Sequence, residues 1–107
     1  MPVQHRIDIR GDARRDLIEI MNYIARDNPA VASEVYESLV EGIAGLQAMP
    51  MRGSVASDLS RMCGMEIRRL LVSSWSILYR VSENLVIVYR VIHTRRDREM
   101  HFIPDRN

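Results

Sequence analysis

The chain has 107 residues, 47% hydrophobic and 27% charged, with a net charge of +1. That length fits one domain spanning 1–107, able to bury roughly two-thirds of its unfolded surface without help from a disulfide or a metal. Near-zero net charge excludes a polycation, so any anion-binding ground has to be local.

All 15 basic residues are arginine, so the chain has no lysine to serve as base, acid or nucleophile. Arginine stays charged at any accessible pH and forks bidentately onto phosphates and carboxylates. A GC-rich coding bias accounts for the same composition without any function. Cys63 stands alone, which excludes an intrachain disulfide and a cysteine metal cluster, and it reads as a small semi-buried apolar group. The N-terminal stretch has no apolar signal core and no run approaches bilayer length, so the expectation is a cytoplasmic protein.

In chain order, Val3 to Arg10 alternates, with Val3, His5, Ile7 and Ile9 on one side and Gln4, Arg6, Asp8 and Arg10 on the other. This pattern predicts a half-buried strand. Gly11-Asp12 breaks it, and Asp12 is placed to cap a helix whose apolar stripe is Ala13, Leu17, Ile20, Met21 and Ile24. Asn28-Pro29 marks a second start, because Asn caps well and Pro at the first helical position gives up an N–H that has no partner there anyway. That helix is expected to run to about Ala48, with Ala32, Val35, Tyr36, Leu39, Ile43 and Leu46 as its stripe, and Met49-Pro50 ends it. Gly42 and Gly45 each cost about 1 kcal/mol relative to alanine. Either they are tolerated, or another backbone passes close to Gly42.

Met51 to Gly64 shows no clear period and is expected to be a loop with one irregular extended piece. Met65 to Val72 reads as a strand, Ser73-Ser74 as a turn, and Trp75–Val81 and Leu85–His93 as a hairpin around Ser82-Glu83-Asn84. Arg80 and Arg90 interrupt the hairpin strands, and His93, Arg95 and Arg96 crowd its exit. From Arg98 the tail is polar apart from Met100, Phe102 and Ile103.

The predicted fold is therefore α+β, in the order β-α-α-β-β-β: a four-stranded antiparallel sheet with the helical hairpin on one face. In the last strand Leu85, Ile87, Tyr89 and Val91 point one way, and Val86, Val88 and Ile92 the other. Both faces are apolar while two helices cover only one, so an exposed apolar patch is expected unless loop 51–64 or the tail covers it.

These residues resemble a known family. The phrase from Ala13-Arg14-Arg15-Asp16-Leu17 to Asp27-Asn28-Pro29, the pair Pro50 and Gly53, Tyr79-Arg80-Val81, Val91-Ile92-His93 and Arg96-Asp97 are similar to the RelE/ParE toxin superfamily. The likeness is strongest to its ParE, plasmid-stabilisation branch, and covers about Val3 to Asp97. It implies the toxin of a bacterial type II toxin–antitoxin system, kept inert by a cognate ParD-like antitoxin, with no cofactor or membrane. The antitoxin is expected on Leu39, Gly42, Val86, Val88 and Ile92. The ParE branch implies inhibition of DNA gyrase, with Arg68, Arg69, Arg80, His93, Arg95 and Arg96 facing the target. The RelE branch implies a ribosome-dependent mRNA endonuclease, for which Arg69, Arg80, His93, Arg95 and Arg96 would form the site and Glu66 a distant base. The second hypothesis suffers from the missing lysines and from the lack of a tyrosine after Tyr89. A third is a non-toxic relic that binds its antitoxin and regulates their operon. Histidines His5, His93 and His101 show no metal-ligand spacing.

Overall fold

The computed structural model describes residues 4–96. The expectations for Val3 and for the tail from Arg98, including Met100, His101, Phe102 and Ile103, fall outside them. Among the described residues the elements are β1 (Arg6–Ile9), α1 (Gly11–Ala25), α2 (Pro29–Gly45), β2 (Ser54–Val55), α3 (Ser57–Cys63), β3 (Arg68–Val72), β4 (Trp75–Ser82) and β5 (Leu85–His93).

The fold is α+β with a five-stranded mixed sheet in the order β1-β5-β4-β3-β2. β3, β4 and β5 form the expected antiparallel meander. β1 departs from the expected pattern: it joins the sheet beside β5 and parallel to it, with Arg6 opposite Leu85 and Ile9 opposite Val88. A parallel neighbour requires a long crossover connection. Here the crossover begins with the α1–α2 hairpin, which crosses one face of the sheet and buries its apolar stripes as it goes.

The helical starts differ in mechanism. Asn28 caps α2 as expected, its side-chain oxygen accepting the Val31 N–H at 3.2 Å. Asp12 does not cap α1; it lies in the first turn, where a carboxylate still suits the helix dipole, while Arg10 occupies the cap position and its side chain turns to Asp8 at 3.5 Å rather than to the helix end.

Two apolar layers flank the sheet. On the helix side Ala13, Leu17 and Ile20 of α1 and Leu39, Ile43 and Leu46 pack on Leu70, Ile77, Tyr79, Val86, Val88 and Val91. On the other side α3, in the segment expected to be loop, brings Leu59 and Cys63, with Ala56 just before it, onto Ile67, Leu78, Ile87, Tyr89 and Ile92. The Ser60 hydroxyl latches this cover, accepting the Ile67 N–H at 2.9 Å and donating to the Ile67 carbonyl at 3.2 Å. The expected open apolar face is thus roofed by the chain itself. Its signal was faint because Ala56, Leu59 and Cys63 have helical spacing but sit among polar residues in a seven-residue helix.

The alternation of β5 is also interrupted. Its register with β4 steps from Leu78–Arg90 to Tyr79–Val88, leaving Tyr89 as an extra residue. A bulge of this kind shifts the side-chain phase beyond it. Val91 therefore joins Val86 and Val88 on the helix side, and Ile92 joins Ile87 and Tyr89 opposite, the reverse of the strict period-two expectation.

Gly42 marks the closest approach of α2 to the sheet. A Cβ there would lie 2.8 Å from Cγ2 of Val72, so the neighbour is a side chain rather than a backbone; Gly45 has only Arg52 nearby, at 3.4 Å.

Candidate functional site

A mostly buried ion pair lies beside the bulge. Arg90 turns to α1 and meets Asp16, a carboxylate buried within the apolar stripe of that helix. Arg90 Nε donates to Asp16 Oδ2 at 2.7 Å and Arg90 Nη2 to Oδ1 at 2.9 Å. The backbone N–H of Val91 donates to Oδ2 at 2.9 Å. The carboxylate thus receives a forked guanidinium and satisfies a backbone donor at the irregular point of the strand. These hydrogen bonds raise the Arg90 pKa further above its ordinary value, against the burial that opposes its charge. A sequence signal for the pair existed: Asp16 interrupts the stripe Ala13, Leu17, Ile20, and Arg90 interrupts an apolar strand.

A second polar knot lies at the other edge of the sheet. The Tyr79 hydroxyl donates to the Pro50 carbonyl at 2.7 Å and accepts the Gly53 N–H at 2.9 Å. Burial pushes the Tyr79 phenol up, opposed by the Gly53 hydrogen bond and by the positive charge of Arg68. Arg68 Nη1 donates to the Gly53 carbonyl at 2.8 Å, and its other nitrogens bond Glu66 Oε1 at 3.1 and 3.0 Å. Gly53 is required by space: a Cβ would sit 2.7 Å from the Tyr79 oxygen and 2.8 Å from the Arg69 carbonyl.

The six target-facing candidates do not converge. Arg68 belongs to this knot, and Arg69 lies 3.8 Å from Asp58 of α3. Arg80 is half-buried opposite Ile87, five residues along β4 from Trp75, or about 16 Å by strand rise. Its Nε is buried and has no hydrogen-bond partner among the described residues. His93, Arg95 and Arg96 do gather. The His93 ring stands edge-on to Trp75 at 5.3 Å, its Nδ1 accepts the Arg95 N–H at 3.2 Å, and its carbonyl accepts the Arg96 N–H at 2.8 Å. His93 and Arg96 of that cluster border a groove of about 720 Å³ between the second half of α1 and the end of the β4–β5 hairpin. Tyr23 and Arg26 of the α1 region, which the sequence reading did not single out for function, form its other rim.

The expected antitoxin residues are interior. Leu39, Val86 and Val88 are 1% exposed or less and Ile92 is 6% exposed. Gly42 faces Val72, Ile77 and Leu70. Leu39, Val86, Val88 and Ile92 build the two layers, and Gly42 is half-buried where α2 meets the sheet; α3 covers the face that the sequence pattern left open.

The model of the ParE toxin of type II toxin–antitoxin systems, parDE, matches residues 7–98. The chain belongs to this ParE toxin family. It is thus a type II toxin of the ParE/RelE superfamily. No curated protein matches it. Among solved structures, this ParE-family chain is similar to one in the chromosomal ParDE toxin–antitoxin system of P. aeruginosa. The identity is 22%, the TM-score 0.68, and the match covers 84% of this chain and 96% of the other. It is also similar to one in the RelBE2 toxin–antitoxin complex of Mycobacterium tuberculosis, at 21% identity and a TM-score of 0.59, covering 85% and 99%. At these identities the likeness concerns the fold. No helix among the described residues is long and apolar enough to cross a membrane.

Proposed function

We propose that this ParE-family toxin acts by protein contact, with DNA gyrase as its target, and is silenced by a cognate antitoxin. The observation that carries the choice is the fate of the strand arginines. Cleaving RNA by in-line attack of a 2′-oxygen needs a base, an acid and cations around one phosphate. Arg68 and Arg90 are held by carboxylates and carbonyls of their own chain, and Arg80 lies at the far end of β4 from His93. Of the arginines expected to form a nuclease site, only Arg96 lines the groove beside His93. The antitoxin partner is supported by the two similar folds, each from a toxin–antitoxin assembly.

The test is a supercoiling and cleavage assay with purified gyrase. The expected result is inhibited supercoiling or trapped cleaved DNA at toxin concentrations that leave translation intact. A second reading, the ribosome-dependent nuclease, is favoured by one observation: His93 and Arg96 share the groove, with Nδ1 of His93 held by the Arg95 N–H. That reading requires codon-phased cuts in ribosome-bound messages and their loss in His93→Ala.

A further inference from the structure

We infer that the groove between α1 and the β4–β5 hairpin is the seat of the antitoxin, and that it takes a segment carrying a bulky apolar side chain beside carboxylates. The inference rests on the toxin–antitoxin reading and gives it a place and a chemistry.

The groove is built rather than incidental. Its floor is apolar, from Ile20 and Val91, and the charges beneath it among the described residues, Asp16 and Arg90, satisfy one another. Its walls are aromatic. Tyr23 stands 72% exposed on α1, and Trp75, the chain's single tryptophan, is fixed against His93 across from it. Large aromatic side chains near arginines are the residues that carry binding energy at protein interfaces. With Asp16 and Arg90 cancelled, the exposed Arg26 and Arg96 outnumber Glu19 among the described lining residues, which gives that part of the rim a net positive charge.

A volume of about 720 Å³ holds two or three side chains, enough for an anchor with flanking acids but not for a folded domain. An apolar plug would rest on Ile20 and Trp75, while adjacent carboxylates reach Arg26 and Arg96 in forked geometry. α3 covers Leu78, Ile87, Tyr89 and Ile92, the face that the sequence pattern left open, and this groove supplies an anchoring surface in its place. On this reading Tyr23, Arg26 and Arg96 determine which antitoxin is accepted.

The experiment uses toxin labelled with 5-fluorotryptophan, so that the single fluorine resonance reports Trp75 alone. The antitoxin encoded beside the toxin is titrated in. The expected result is a saturating shift of the Trp75 resonance, with Tyr23→Ala, Arg26→Glu and Arg96→Glu each weakening affinity tenfold or more at unchanged melting temperature. An acid-to-arginine change in the antitoxin segment should restore binding to Arg26→Glu or Arg96→Glu. Full-affinity binding by all three variants with an unmoved Trp75 resonance would place the antitoxin elsewhere while leaving the toxin–antitoxin pairing intact. Failure of the wild-type toxin to bind its neighbour at all would remove the pairing, and this inference with it. A Trp75 shift produced by short single-stranded RNA, with antitoxin affinity indifferent to the three variants, would assign the groove to nucleic acid and overturn the proposal.

Discussion

At the β2–β3 corner, Arg68 spends its guanidinium on Glu66 and the Gly53 carbonyl, Tyr79 ties Pro50 to Gly53, and little is left for a partner. At the opposite end of the sheet, Arg26 and Arg96 stand exposed on the rim of a groove with aromatic walls. Both regions set arginine beside tyrosine, one pair drawn from the sheet and the other from α1 and its C-cap, yet one is closed and the other open. The difference lies in what surrounds them. Where the chain supplies carbonyls and a carboxylate within hydrogen-bond reach, arginine becomes a bracket; where it supplies aromatic faces and little acid, arginine remains available.

Substitutions can break or sharpen that contrast. The largest effect is expected at Asp16. Asp16→Ala would strand Arg90 and the Val91 N–H in a mostly buried setting, costing about 3 kcal/mol or more, read as a lower denaturation midpoint. A loss below 1 kcal/mol would mean that the groove floor is not held by this pair. Gly53→Ala follows. Its Cβ meets the Arg69 backbone, which cannot swing aside, and a loss of about 2 kcal/mol in chemical denaturation is expected; a neutral result would show the corner to be looser than its geometry.

Tyr79→Phe should cost about 1 kcal/mol by leaving the Pro50 carbonyl and Gly53 N–H without their shared hydroxyl. It also carries a pH signature. The folded phenol titrates above the unfolded value of about 10, so its stabilisation is complete below that pH and is lost as pH rises through the folded pKa. Stability measured from pH 9 upward should therefore fall more steeply in the wild type than in Tyr79→Phe, and parallel curves would show that Tyr79 does not titrate there. The smallest effect is at the open end: Tyr23→Ala, on an exposed aromatic, should change folding stability by less than about 0.5 kcal/mol. A larger loss in thermal melting would mean that Tyr23 supports the fold and is not spare for binding.

Much of the scaffold was legible from local chemistry. Asn28-Pro29 fixed the start of α2, and Ser73-Ser74 and Glu83-Asn84 are the turns that their neighbours imply, with Ser73 and Glu83 at φ 55° and 54°. What escaped was set by tertiary context. Whether β1 pairs parallel or antiparallel depends on where a crossover lands, which alternation cannot encode. The bulge at Tyr89 leaves no mark in a run of apolar residues, yet it exchanges the faces of Val91 and Ile92. Of the site, the exit residues His93, Arg95 and Arg96 were legible as a charged strand end. Their opposite wall, Tyr23 and Arg26, was not, because it comes from a helix some 70 positions earlier whose outer face looks like ordinary solvated surface.

The position of β5 bears on how the toxin is made. This last strand pairs with β1 and β4 and contributes to both apolar layers. Until residues 85–93 have left the ribosome, the helical hairpin has no completed sheet to lie on, and α3 covers only part of its surface. Closure of both layers therefore waits on this strand, whose partner β1 lies far from it in sequence. A chain halted before His93 lacks the one strand that joins β1 to β4 and completes both apolar layers.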